Sequence, residues 1–220
     1  MGIETPAISP GKCFGIENAV YTGSFRQERT ALFETVFNPG LYFFDIGANA
    51  GGYSFWVHSV LGNDCRIYAV EPDPELQTML RFNIATNHAA AIQLIPLALS
   101  DTEGTGTFFL NENNKGENQL VDETDPNRSS GIHVTVSTLI SVIQSNGINK
   151  IDAMKVDIED HEIRVLGHFF SHAERSLWPR IIIAEEKKTE NYDHLKGLLI
   201  DLGYSPDLKA KNNCVYLLST

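Results

Sequence analysis

The chain has 220 residues, 42% hydrophobic and 20% charged, which fits one globular domain with an ample core. Its 28 acids outweigh 17 bases, for a formal net charge of −11, so no broad nucleic-acid or anionic-membrane surface is expected. The three cysteines, Cys13, Cys65 and Cys214, are odd in number and far apart; this excludes a disulfide framework or CxxC zinc site and predicts a reducing, cytoplasmic setting.

The amino terminus shows no apolar signal core, and Pro6 stands where myristoylation requires Ser or Thr. No apolar run reaches membrane-spanning length. Residues 1–24 are mixed, with Gly and Pro, and are expected to form a cap or arm ahead of a domain over 25–220. Phe25, Leu32, Phe33, Val36 and Phe37 fall at helical spacing, predicting an amphipathic helix over 25–37, stopped by Asn38-Pro39-Gly40. A strand over 41–46 runs into a glycine-rich turn and a helix over 53–61. A strand over 66–70 and a helix over 74–87 follow, with Pro74 in its first turn. Residues 92–97 read as a third strand and 104–110 as an added one. Residues 111–131 are polar and rich in Gly and Asn; so long a loop is either functional or disordered. Beyond it the pattern predicts a strand at 133–136, a helix at 139–146 and a buried strand at 151–156. A helix over 161–177, a strand over 180–184, a helix over 191–202 and a hairpin of 204–208 with 214–218 complete the chain. Alternating strands and helices imply a parallel sheet with helices on both faces.

The turn after the first strand carries the chemistry. A dinucleotide fingerprint wants glycines at its first, third and sixth positions; here these are Gly47, Asn49 and Gly52. Asn49 hinders close approach of a pyrophosphate, and Asp45 would repel one. A carboxylate at that place suits a cationic ligand without phosphate. S-adenosylmethionine (SAM) has an ammonium, a sulfonium and no phosphate. Glu71 ends the second strand, where a carboxylate can accept hydrogen bonds from both ribose hydroxyls. A turn whose glycines only permit tight packing is the alternative, but it leaves Asp45 without a structural reason.

Four stretches, in order, resemble the FkbM-type family of class I SAM-dependent methyltransferases. They are Asn38-Pro39-Gly40 leading into the segment from Asp45 to Gly51, then Tyr68-Ala69-Val70-Glu71-Pro72. Ala98-Leu99-Ser100-Asp101 with Gly104 comes third, and Lys155-Val156-Asp157-Ile158-Glu159 with Glu162 fourth. The strand ending in Glu185 also matches. The resemblance covers about 25–220. It implies a Rossmann-like α/β fold with a seven-stranded, mostly parallel sheet and SAM as cofactor. It also implies O-methylation of a small molecule or sugar. By position, Asp45, Gly47, Asn49 and Gly51 would line the methionine end, Glu71 would hold the ribose, and Ser100 and Asp101 would flank the adenine. Asp157 would lie near the transferred methyl. The family pattern continues Gly-Ala-Glu where this chain has Asp160-His161-Glu162. Asp160 would keep the turn as a helix N-cap, or else the acceptor pocket or the activity has changed.

Methyl transfer to a hydroxyl needs positioning of the reactants and removal of a proton. Lys155, Asp157, Glu159, His161 and Glu185 are the candidates, since strand ends converge on the sheet's carboxyl edge. Asp157 is expected to position the acceptor, and His161 or Glu159 to accept the proton. A helix-dipole role for Glu159 and Asp160 is the plain alternative. Asp157, Glu159 and Glu185 are of the type that binds a hard cation such as Mg²⁺, but no ligand count points to one, and no metal is expected. His168 and His172 share a helical face but lack a third ligand. The partner implied is a small-molecule or glycan acceptor. A non-catalytic SAM- or partner-binding module and an RNA methyltransferase remain as other readings, the second opposed by the net charge.

Overall fold

A computed structural model describes residues 38–110, 118–121, 131–185, 189–210 and 213–219. The arm over 1–24, the helix over 25–37 and most of 111–131 lie outside the described residues.

The first strand, β1 (Leu41–Ile46), is apolar on both faces except at Asp45, as a central strand must be. Helix α1 (Gly52–Leu61) follows, then β2 (Cys65–Val70), α2 (Pro74–Thr86) and β3 (Ile92–Ile95). Asp73 caps α2 by accepting the Glu75 N–H at 2.8 Å, with Pro74 in the first turn as the sequence predicts. Strand β3 is shorter than expected and stops at Pro96, which has no N–H for the ladder. On the far side of β1 come β8 (Ala153–Val156), α4 (Glu162–His172), β9 (Ile181–Glu185), α5 (Glu190–Asp201) and the hairpin β10 (Tyr204–Ala210) with β11 (Asn213–Leu218). The helix expected over 161–177 breaks at Ala173, which is extended, and resumes as one 3-10 turn, Arg175–Leu177.

These strands make a seven-stranded sheet in the order β10-β11-β9-β8-β1-β2-β3. All neighbours pair parallel except β11, antiparallel to both β9 and β10. Period-two alternation splits the core. Phe44 and Ile46 pack with residues of α4 and α5 such as Leu166, Phe169 and Leu195. Phe43 and Ile67 face the opposite way, with Phe55 and Val57 of α1 and Leu80 of α2. The chain steps outward from β1 to β3 and returns to β8 on the other side of β1. That reversal opens a crevice beyond the carboxyl ends of β1 and β8, where ligands of such sheets bind.

A second sheet occupies the stretch between β3 and β8. It consists of β4 (Ala98–Ser100), β5 (Gly104–Phe109), β6 (Gln119–Val121) and β7 (Gly131–Thr138), in the order β4-β7-β5-β6. The strands expected at 104–110 and 133–136 are therefore antiparallel partners away from the main sheet. Residues 98–100, to which the sequence pattern assigns no element, form a strand parallel to β7. Residues 119–121, read within the long loop, pair with β5. Ala98, Phe108, Val134 and Val136 close a small core of their own. Helix α3 (Leu139–Ser145) then leads back to β8, capped by the Thr138 hydroxyl on the Ser141 N–H.

Candidate active site

Gly47 ends β1 with φ 77°, and a Cβ there would overlap the backbone carbonyl of Asp157 beyond β8. Only glycine lets these two strand ends meet so closely. Asn49 follows with φ 53°, a left-handed conformation that Asn tolerates better than most residues. Its N–H donates to Glu71 Oε2 at 2.8 Å, and its own Oδ1 accepts the Ala50 N–H at 2.7 Å. The other Glu71 oxygen, Oε1, accepts the Asp73 N–H at 2.8 Å. Two backbone amides thus hold a carboxylate that is 4% exposed. Burial pushes the Glu71 carboxyl up to about 7, against the pull of these hydrogen bonds.

Asp45 has a structural task that the sequence did not disclose. It is 1% exposed, and its Oδ2 accepts the Ser54 N–H at 2.9 Å and the Ser54 hydroxyl at 2.6 Å. Gly51 begins α1 with φ 97° and no side-chain cap, so Asp45 serves an amide that the helix leaves unsatisfied. Burial raises its pKa, opposed by Ser54 and by the charge of Lys155. Lys155 is 2% exposed and donates to Asp157 Oδ2 at 2.8 Å, with its ammonium 5.2 Å from the Tyr53 ring centroid. Burial disfavours the Lys155 ammonium, yet Asp157, Tyr53 and Asp45 together outweigh this and raise the pKa.

Asp157, Glu159 and Glu185 converge, each offering an oxygen within 4.8 Å of the others. The chain turns sharply here, with φ 55° at Glu159 and 70° at Asp160. Three carboxylates attract a cation of any kind, and nothing else among the described residues marks a metal. The left-handed Asp160 explains the family's glycine at that position. Asp160 is not an N-cap: α4 starts behind His161 without a side-chain cap. Its Oδ1 accepts the hydroxyl of Thr189 at 2.8 Å, and its carbonyl accepts Asn191 Nδ2 at 3.1 Å. Thr189 in turn caps α5. Glu162 steadies the turn by accepting the Ile158 N–H at 2.8 Å.

Two cavities meet over these strand ends. Gly47, Asn49, Glu71, Asp157, Glu159 and His161 contribute to the first, together with apolar walls that include Leu97, Leu99 and Phe108. Among the described residues, neither Lys nor Arg lines it. Asp45 and Gly51 are not among its lining residues. The second cavity is bounded by Ser100, Thr105, Gln119, Asp160, Arg164 and Asn191, and shares Leu120, Glu159 and His161 with the first. Ser100 lines the second cavity, and neither Ser100 nor Asp101 is among the described lining of the first. Ser100 bonds His161 and Asp101, and Asp101 pairs with Arg164 at 2.9 Å. Sequence reasoning missed Asn118. This buried residue donates from Nδ2 to Asp73 Oδ2 at 2.9 Å and ties β6 to the cap of α2. Its only signal was a polar side chain in a polar stretch.

Among solved structures, the chain resembles a ribosomal protein L11 methylase from Lactobacillus delbrueckii subsp. bulgaricus (TM-score 0.57, 15% identity, 98% of this chain and 85% of that one). It also resembles a precorrin-6y C5,15-methyltransferase from Geobacter metallireducens (TM-score 0.55, 12% identity, 97% and 94%). Both likenesses concern the fold, that of class I SAM-dependent methyltransferases. A curated relative, 31-O-demethyl-FK506 methyltransferase FkbM from Streptomyces tacrolimicus, is 28% identical over 176 residues. That alignment takes in 67% of this chain and 65% of the relative, just under two thirds of its length. The Methyltransferase FkbM domain matches residues 45–206, from the buried Asp45 beneath the turn to the closing hairpin. With three quarters of its length inside that match, the chain belongs to the FkbM methyltransferase domain family.

Proposed function

We propose that this chain is a SAM-dependent O-methyltransferase whose acceptor is a hydroxyl of a small molecule or sugar. The observation that carries this reading is the engagement of the Asn49 amide with Glu71. A dinucleotide site needs such amides for its pyrophosphate; here the amide is spent on a carboxylate, and the cavity around it is acidic. The residues fit SAM. Glu71 retains acceptor capacity for ribose hydroxyls, since a carboxylate has about four acceptor sites and the amides use two. Leu97, Leu99 and Phe108 offer apolar walls for a purine. Asp157 and Glu159 suit the positive charges of the cofactor.

When bound, SAM supplies an activated methyl on a sulfonium that leaves as a neutral thioether. The protein must then orient the acceptor and take a proton. Asp157, held by buried Lys155, positions the acceptor hydroxyl, while His161 or Glu159 accepts its proton. The relative's name, which specifies a 31-O-demethyl compound, supports an oxygen acceptor on a small molecule. Asp160 retains the left-handed turn that glycine provides in the family, which favours an active enzyme over a binding module. Cys65 and Cys214 are buried thiols, which supports a reducing, cytoplasmic setting. No described helix is long and apolar enough to cross a membrane.

The test is calorimetric titration with SAM and with NAD in parallel, followed by transfer of labelled methyl to a panel of alcohols and sugars. Micromolar SAM binding, lost in Glu71→Ala, and label in an ether product are expected. Binding of NAD in preference to SAM would overturn the reading.

A further inference from the structure

We propose that strand β6 is a hinged wall of the cofactor cavity and that the Asn118–Asp73 hydrogen bond is its latch, open when the cofactor enters and shut once it is bound. The role at entry rests on the SAM reading above; the latch itself does not.

The first cavity encloses about 70 Å³, room for about two waters at their share of liquid volume. Sites for drug-sized ligands start at about 300 Å³, and SAM is of that size. A wall must therefore give. The side formed by Gly47, Asn49 and Glu71 has little freedom. Gly47 packs against the Asp157 carbonyl, and Glu71 is clasped by the amides of Asn49 and Asp73. The opposite side is built from Phe108 of β5 with Asn118 and Leu120. There β6 is three residues long and lies at the edge of the small sheet, paired to β5. An edge strand with so few ladder bonds opens readily, and elements that gate ligands come from that end of the stability range.

A polar contact holds this wall shut. Asn118 and Asp73 are both buried, and Asn118 Nδ2 donates to Asp73 Oδ2 at 2.9 Å. The other Asp73 oxygen caps α2, and the Asp73 N–H donates to Glu71 Oε1. The latch thus ends on the residue that holds the carboxylate proposed for the ribose. A bond between an amide and a carboxylate suits a latch. Water replaces it on both partners once the strand swings out, so opening leaves neither group without a hydrogen bond. Strand alternation sends Gln119 to the second cavity, while Leu120 touches both. Closure over the cofactor therefore also sets a wall of the neighbouring space.

Hydrogen exchange of the ligand-free protein, read by mass spectrometry, tests the latch without any cofactor. Asn118→Asp keeps the size of the side chain and sets two carboxylates against each other; Asn118→Ala removes the donor. In both, amides of 104–109 and 119–121 should exchange at least about 10-fold faster than in the wild type, the factor that a hydrogen bond to a charged group carries. Amides of β1 and β8 should keep their rates. Stopped-flow mixing with SAM tests the role at entry. In the wild type the observed rate should level off as SAM concentration rises, because opening becomes limiting. In Asn118→Asp that plateau should rise about 10-fold, and SAM should dissociate faster. Unchanged exchange in both variants, or equal acceleration in β1 and β8, overturns the latch even if SAM binds. A wild-type rate that stays linear in SAM concentration overturns the gating of entry. Faster exchange in both variants, with no SAM binding by the wild type, overturns the role at entry through failure of the proposed function.

Discussion

Glu71 accepts the backbone N–H of Asn49 at 2.8 Å, joining the carboxyl end of β2 to the left-handed turn after β1. The bond sets the carboxylate's direction and removes the amide from any phosphate. It also makes Glu71 a titrating element of the site. With its pKa raised by burial from 4.5 to about 7, the group is mostly protonated at pH 6, whereas ribose hydroxyls favour the carboxylate as acceptor. SAM affinity should therefore rise about 10-fold from pH 6 to pH 8, with proton release on binding. Calorimetry in buffers of different ionisation enthalpy measures both; affinity independent of pH would remove Glu71 from the ribose site.

The same shift has a consequence for the ligand-free protein. Its folded-state pKa is raised, so the stability it contributes is full below about 4.5 and lost as pH climbs through about 7. The loss amounts to roughly 3 kcal/mol across that window. Urea midpoints should fall from pH 5 to pH 8 in the wild type and fall less in Glu71→Gln.

Lys155 lies between Asp45 and Asp157 and is nearly sealed from solvent. Lys155→Met keeps the volume but strands two acids beside an apolar chain. Unfolding free energy should drop by about 3–5 kcal/mol, read from urea denaturation at pH 7. A drop under 1 kcal/mol would show that water or protonation replaces the ammonium at little cost.

Gly47→Ala meets the Asp157 carbonyl and requires a left-handed alanine. The ends of β1 and β8 must separate, and the crevice with them. SAM binding should fall at least 100-fold, a larger effect than in Gly62→Ala, where φ is 60° but nothing stands within 4 Å.

Asp160 carries two opposed effects. Replacing it with Gly relieves a left-handed backbone, worth about 1 kcal/mol, and removes the Thr189 bond, worth about 1 kcal/mol. Asp160→Gly should be near neutral, while Asp160→Ala keeps the strain, loses the bond and should cost about 1–2 kcal/mol. Equal effects of the two variants on thermal unfolding would argue against backbone strain.

The main sheet was legible because its signals are local. A buried parallel strand needs an unbroken apolar run, and three of the described helices start behind a capping side chain, Asp73, Thr138 or Thr189. Strand β4 escaped because three residues, Ala98, Leu99 and Ser100, carry no periodicity. Strand β6 escaped because a short strand paired on one side needs few apolar residues. Asp45 was noticed for its charge, but its structural bond to Ser54 was not legible, since that partner is nine positions away at the start of the next helix.

By itself the sequence determined the order of the elements, the glycine-rich turn and the acids at the strand ends, because propensity, capping and side-chain alternation act between near neighbours. Tertiary structure decided what those side chains meet. The Glu71–Asn49, Asp160–Thr189 and Asn118–Asp73 bonds join residues 22 to 45 positions apart, and Ser100 reaches His161 across 61. A hydrogen bond depends on distance and direction in space, and the chain acquires those only when the sheets pack and the strand ends converge.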